Sequence, residues 1–106
     1  MKHWEQTLIG PRTLLREALQ TIDRTGSQIA LVVDDDRRLL GTLSDGDARR
    51  ALLRGMSLSD EDHTAMHRHP SFALGGEERQ AILAKMRRLG LHQMPLVDAS
   101  HRVVGL

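Results

Sequence analysis

Two stretches of this chain carry apolar residues at helical spacing, and each leads into short apolar runs that read as strands. Leu15, Ala18, Leu19 and Ile22 fall at i, i+3, i+4 and i+7, one face of an amphipathic helix, and Gly26 supplies the left-handed residue that ends it. Ile82, Leu83, Met86 and Leu89 mark a second such helix, ended by Gly90. After each glycine comes a β-rich run, IALVV and then QMPLV. A polar turn follows, DDDRR and DASHR, and then a second apolar run, LLGTL and VVGL. TLIG, just ahead of Pro11, and Ser71 to Leu74 read as short strands preceding the two helices. The strand runs are continuous rather than alternating, which predicts sheets covered on both faces, by helices on one side and by the other copy on the other.

The recurrence is a duplication. At an offset of 64, Thr13 to Thr42 aligns with Glu77 to Leu106 without a gap, and seven of the thirty pairs are identical. These are Leu19/Leu83, Arg24/Arg88, Gly26/Gly90, Val33/Val97, Asp34/Asp98, Arg38/Arg102 and Gly41/Gly105. Chance pairing at this composition gives about two. Only the first copy continues, into a helix in GDARRALLRG. The fold expected is α/β, two units of strand, helix, strand, strand and helix, the second stopping before its last helix. The expected division is residues 1–58 for the first unit, 59–70 for a linker and 71–106 for the second unit. The linker is expected to hold a short helix around Thr64 to His67, stopped before Pro70.

Composition narrows the function. A chain of 106 residues buries roughly 60 to 70% of its unfolded surface, enough for a modest core. Trp4 and Phe72 are its only aromatics, too few for base-stacking platforms, and the net charge of +1 comes from arginines scattered among acids. Neither a nucleic-acid surface nor a polybasic membrane surface is expected. There is no cysteine, so no disulfide framework or thiolate metal site. No apolar run approaches the roughly 20 residues needed to span a bilayer, and MKHWEQ lacks the layout of a signal peptide. A cytoplasmic location is the expectation.

The candidate chemistry lies in GTLSDGD, Gly41 to Asp47. Ser44 and Asp47 stand three apart at the start of a helix, where they can form a capping box with no ligand at all. The same place presents free backbone N–H groups, a hydroxyl and a carboxylate, which suits a nucleotide: donors toward phosphate, carboxylate toward ribose hydroxyls. Gly46 would let a ligand approach the backbone. Asp45 and Asp47 would repel phosphate, so Arg49, Arg50 or an arginine of the other copy must supply positive charge.

The duplication, the element order, LLGTLSDGD in the first copy and HQMPLVDASHRVVGL in the second together resemble the CBS domain pair, or Bateman module, over essentially the whole chain. The resemblance maps the family's ligand signature onto Gly41, Ser44 and Asp47, with Leu43 beside them. It implies a regulatory module that binds an adenosine nucleotide (AMP, ADP or ATP) or S-adenosylmethionine in the cleft between the copies, with no catalysis of its own. Taking QIA and QMP as equivalent strand starts, it implies Ile29, Ala30, Met94 and Pro95 as pocket walls, with Ile9 and Arg49 as further ligand contacts. It also implies a homodimer. HWEQTLI and the phrasing from IALVVD to LLGTLSDGD resemble N-terminal CBS pairs that precede a sugar-phosphate nucleotidyltransferase domain. The second copy stops two residues before the counterpart of Ser44. A fragment of a longer polypeptide is therefore expected, with at most one complete site and a downstream domain. The alternative is a structural dimerisation module in which Ser44 and Asp47 only cap a helix.

Other clusters carry less. His63 and His67 stand at i, i+4 with His69 nearby, a zinc-compatible spacing on a helix, but the stretch is not His-Glu-x-x-His and fixes no third ligand. No metal site is therefore expected. Asp34, Asp35 and Asp36 lie between two strands, where a hairpin turn accounts for them. No phosphate-binding loop of the Gly-Lys-Ser/Thr type and no nucleophile elbow occurs, and no catalytic residue is assigned.

Overall fold

The computed structural model describes residues 3–106; Met1 and Lys2, at the head of the expected first unit, lie outside the described residues. The first unit has strand β1 (Leu8–Ile9), helix α1 (Leu15–Thr25), strands β2 (Ile29–Val33) and β3 (Leu39–Ser44), and helix α2 (Asp45–Leu53). The second has β4 (Ala73–Leu74), α3 (Arg79–Leu89), β5 (Leu96–Val97) and β6 (Val103–Gly105). Each forms a three-stranded sheet in chain order, its first pair parallel and its second antiparallel.

The offset of 64 extends to atomic detail. Gly26 and Gly90 both end their helices in the left-handed region, at φ 64° and 69°. The hairpins carry their irregularity at Val32/Val33 and at Leu96/Val97, the same place in each copy. Asp34 Oδ1 accepts from the N–H groups of Asp36 and Arg38, and Asp98 Oδ1 accepts from those of Ser100 and Arg102, all at 2.9 Å. These bonds hold the Asp98 carboxyl below the ordinary carboxylate range, with the Arg102 N–H the largest cause.

The same register moves one sequence expectation. QIA is matched by His92, Gln93 and Met94 rather than by QMP, so Ala30 corresponds to Met94 and Leu31 to Pro95. Pro95 has no N–H to donate, and the second run forms a strand only over Leu96–Val97.

The two hairpins join about a local two-fold. The N–H of Leu39 donates to His101 O at 3.0 Å, and the equivalent N–H of Val103 donates to Arg37 O at 2.9 Å, around a bridge between Arg38 and Arg102. Arg37 and His101, whose carbonyls accept these bonds, both sit at positive φ, 64° and 66°. Behind the junction, Leu31, Val33 and Leu39 of one sheet pack on Val97 and Val103 of the other. A second core lies on the helix side of the first sheet, where Leu15, Ala18, Leu43, Ala48 and Ala51 meet Ala65 from the linker. Both faces of the first sheet are covered, as its continuous apolar runs require.

The copies differ in what covers the helix. Leu15, Ala18, Thr21 and Ile22 of α1 are buried, whereas α3 has no buried residue, and Leu83 and Leu89 are exposed. The apolar stripe of α3 formed as its spacing predicts. No helix follows β6 among the described residues to pack on it as α2 packs on α1.

The linker departs from expectation. Asp62–Thr64 forms a single 3-10 turn, and His67, expected on a helix, is extended and bridges Thr42 of β3. Their N–H groups and carbonyls exchange two bonds, of 3.1 and 2.8 Å. The physical reason is room at Gly41. A Cβ there would lie 2.6 Å from His67 O and 2.8 Å from Met66 Sδ, so only glycine lets the linker run along this edge strand.

Candidate functional site

The motif end of β3 turns directly into α2, because Ser44 is extended and ready to cap while Asp45, Gly46 and Asp47 form the first turn. Ser44 Oγ accepts from the Asp47 N–H at 3.1 Å, and Asp47 Oδ2 accepts from the Ser44 N–H at 3.0 Å, a complete capping box. Arg50 donates to Asp47 Oδ1 at 2.9 Å. Its guanidinium folds back over the first turn, with Nη1 only 3.2 Å from where a Cβ on Gly46 would stand. Both carboxylate oxygens of Asp47 are thus engaged, and its side chain keeps 20% of its exposure. The Ser44 hydroxyl keeps its own hydrogen to donate.

The other expected site residues divide into four groups. Ile29 lies opposite Ser44 and Ala30 opposite Leu43, so the start of β2 and the motif end of β3 form one ledge. The side chains of Ala30 and Leu43 are fully buried, which leaves their backbone as what a ligand could meet there. Met94 and Pro95 are buried at the entry to β5 in the second sheet. Ile9 pairs with Val32, which pairs with Gly41, so it sits three residues, roughly 10 Å, along the sheet from Ser44. Ile9 packs on the Leu15 core, and Gly41 lies beneath Met66 and His67. Arg49 is exposed; the arginine at the carboxylate is Arg50.

A cleft of about 230 Å3 adjoins the motif, lined by Ile22, Asp23, Gly26, Gln28 and Asp45. Gln28, at the mouth of β2, has φ 67°, a conformation uncommon outside glycine. A larger and mostly apolar cleft, about 590 Å3, lies in the second unit among Leu74, Gly75, Val97, Asp98 and Val104. Among the described residues no three His, Cys, Asp or Glu side chains gather as metal ligands. His63 instead pairs with Glu61, its Nε2 3.0 Å from Oε1.

One residue had no legible role in the sequence. Asp62 has 0% exposure, and neither carboxylate oxygen has a hydrogen-bond partner. Burial pushes its pKa up from 3.8 to about 6; the His63 imidazole and the backbone N–H groups of His63 and Asp62 oppose the rise, and Glu61 adds to it. The one sequence signal is its place between Leu58 and Ala65, both inward-facing, and that is weak.

The duplicated sheet unit is joined hairpin to hairpin, and it places Gly41, Ser44 and Asp47 where a strand enters a helix. The family model described as CBS domain matches residues 7–54, and the fold of the described chain is that of a CBS domain pair. Two uncharacterized proteins of Helicobacter pylori, from strains J99 and 26695, are 35% and 34% identical to it over 100 residues. The match takes in 93% of this chain and 30% of each of theirs, so the chain spans less than a third of the curated relatives it matches.

Among solved structures, AcuB from Vibrio cholerae superposes with a TM-score of 0.85 at 18% identity, over 92% of this chain and 73% of that one. The CBS domain protein PAE2072 from Pyrobaculum aerophilum, complexed with AMP, gives 0.80 at 19% identity, over 92% and 76%. The CBS domain pair of protein MJ0100, in complex with 5-methylthioadenosine and S-adenosyl-L-methionine, gives 0.79 at 22% identity, over 92% and 80%. At these identities the likeness is one of fold. Among the described residues no helix is long and apolar enough to cross a membrane.

Proposed function

We propose that this chain is the ligand-sensing module of a larger cytoplasmic protein and binds an adenosine nucleotide or S-adenosylmethionine at the motif end of β3. The observation that carries this reading is the convergence at one strand-to-helix turn of the Ser44 hydroxyl, the Asp47 carboxylate and the Arg50 guanidinium, beside the ledge of Ile29 and Ala30. Ser44 and the first-turn N–H groups donate to a phosphate, and Asp47 accepts from a ribose hydroxyl. Asp47 Oδ1 is held by Arg50, so a ribose reaches it by displacing that guanidinium, which then turns to the phosphate. The complexes of fold neighbours with AMP and with S-adenosyl-L-methionine support the ligand class.

In this reading residues up to 58 and from 71 onward are the two repeats, and binding changes how they pack. A dimer of such pairs transmits the change to a downstream domain of nucleotidyltransferase type. One observation favours a second reading, a structural dimerisation module: the capping box is complete without a ligand, and no atom of Asp47 waits for one.

Calorimetry and thermal shift with AMP, ADP, ATP and S-adenosylmethionine, on the chain and on Asp47→Ala, separate the two. A ligand at about 100 times its Kd adds about 2.7 kcal/mol of stability. A shift lost in Asp47→Ala supports the sensor. No shift with any compound supports the structural module, and a shift that survives the substitution moves the site elsewhere.

A further inference from the structure

Asp62 is a buried carboxylate with no well-formed hydrogen bond, and it sits in the middle of a strap. Residues 58–67 are pinned to the first unit almost entirely by backbone. Leu15 N–H donates to Asp60 O at 2.8 Å and Arg16 N–H to Leu58 O at 3.0 Å, so the strap's carbonyls take the place of a side-chain cap at the start of α1. Asp62 N–H donates to Thr13 O at 2.7 Å, and at the far end His67 exchanges its two bonds with Thr42, two residues before Ser44. Ala65 enters the core between these fastenings. Asp62 is fully buried at the centre of this arrangement, and only the backbone N–H groups of its own turn lie near its oxygens, without forming hydrogen bonds. Buried polar atoms are almost always paired, and a charged one left unpaired is costly.

We propose that Asp62 makes the strap a proton-controlled fastening, docked on α1 and β3 while the carboxyl is neutral and loosened when it gives its proton to water. Opening exposes the carboxyl, where the ionised form is the stable one, so proton loss and opening favour each other. The pKa of about 6 in the docked form, against 3.8 for an exposed aspartate, sets the direction. Opening rises tenfold per pH unit through the interval between these values and levels off above the upper one. Acid fastens the strap, and neutral pH loosens it.

The charged groups around Asp62 do not reverse this. Glu61 and His63 on its own turn pair with each other. Arg12, Arg16 and Glu17 of the facing segment, and His67 at the far end of the strap, are exposed. Leu43, Ala48 and Ala51 supply only apolar groups from β3 and α2. Because His67 pairs with Thr42 next to the motif, loosening also frees the edge of β3 that leads into Ser44. That coupling to the ligand site rests on the function proposed above; the fastening itself does not.

The test is amide hydrogen exchange on the whole chain between pH 4.5 and 7.5, corrected for intrinsic rates, in wild type, Asp62→Asn and His63→Gln. The amides of Leu15, Arg16, Thr42, Asp62 and His67 are expected to lose protection at least tenfold in wild type as pH rises from 4.5 to 6 and to level off above it, with Leu31 and Val32 unchanged. Asp62→Asn flattens that profile, while His63→Gln keeps it. Strap amides with equal protection at all pH values in wild type would overturn the proposal, and so would an unchanged slope in Asp62→Asn. If Asp62→Asn does not fold, the wild-type profile decides alone. AMP titrations at pH 5 and 7 then read the coupling; absence of AMP binding at both would sink the nucleotide reading and leave the strap result standing.

Discussion

Replacing Gly41 with alanine puts a methyl group where the linker already runs. The new Cβ would stand 2.6 Å from His67 O and 2.8 Å from Met66 Sδ, both inside any tolerable contact. The thioether can swing aside. The carbonyl cannot, because it accepts from the Thr42 N–H while the His67 N–H donates back to Thr42 O. Relief therefore means giving up that bridge, two bonds worth about 0.5 to 1.5 kcal/mol each, together with some repacking of Ala65 and Met66. Overpacking of this kind costs about 1 to 3 kcal/mol, so about 2 kcal/mol is expected in total. For a domain of this size that is a fall in Tm of about 10 °C. Urea unfolding measures it, and hydrogen exchange should place the loosening at Thr42 and His67 with Leu31 and Val32 intact. The double variant Gly41→Ala/Met66→Ala should recover only part, since the carbonyl clash remains. A loss below about 0.5 kcal/mol, or full recovery in the double variant, would refute the role given to Gly41. In that event the glycine would be free to serve ligand approach instead.

Three further outcomes follow from the same structure. Asp62→Val should stabilise the chain at neutral pH: between 3.8 and about 6 the folded state binds the extra proton, so wild-type stability falls by about 3 kcal/mol as pH rises through that interval, and the variant should lack the fall. Urea denaturation at pH 4 and 7 checks it. Asp98→Ala should lower Tm at neutral pH, and because the folded pKa of Asp98 is depressed, its gap from wild type should close as pH drops below 3.8. Ile22→Ala should cost about 2 to 4 kcal/mol and the equivalent Met86→Ala less than half as much, since Ile22 is buried and no residue of α3 is. Equal losses would contradict the exposed face of α3.

The repeat was the most legible feature, because a gapless offset constrains every element twice. Glycines that end helices, aspartates that close hairpins and the apolar stripe of each helix announce themselves by local chemistry, and Gly26, Asp34 and Ile22 behave as their patterns predict. QIA and QMP look alike in composition, but the offset matches QIA to His92, Gln93 and Met94, as the strand registers do.

The linker was less legible because its conformation is set by what it lies on. His67 is drawn into an extended bridge with Thr42 by the bare edge of β3 over Gly41, a contact between residues 25 positions apart in the chain. Asp62 hides for a similar reason: nothing in DEDHTAMH distinguishes an inward acid from the solvated ones beside it. At the site, Ser44 and Asp47 form the capping box that their spacing predicts, and a ligand would need the same atoms. The grip of Arg50 on Asp47 depends on a side-chain rotamer, which spacing alone does not select between Arg49 and Arg50.

In the proposed function the first turn of α2 receives a nucleotide. Backbone amide NMR of the labelled chain titrated with AMP tests it most directly. Saturable shifts are expected, centred on Ser44, Asp45, Gly46 and Asp47 and extending to Ile29, with the Arg50 side-chain Nε–H signal moving in step as it leaves Asp47. Shifts confined to other residues, or none up to millimolar AMP and S-adenosylmethionine, would contradict it and leave Asp47 as the cap of its own helix.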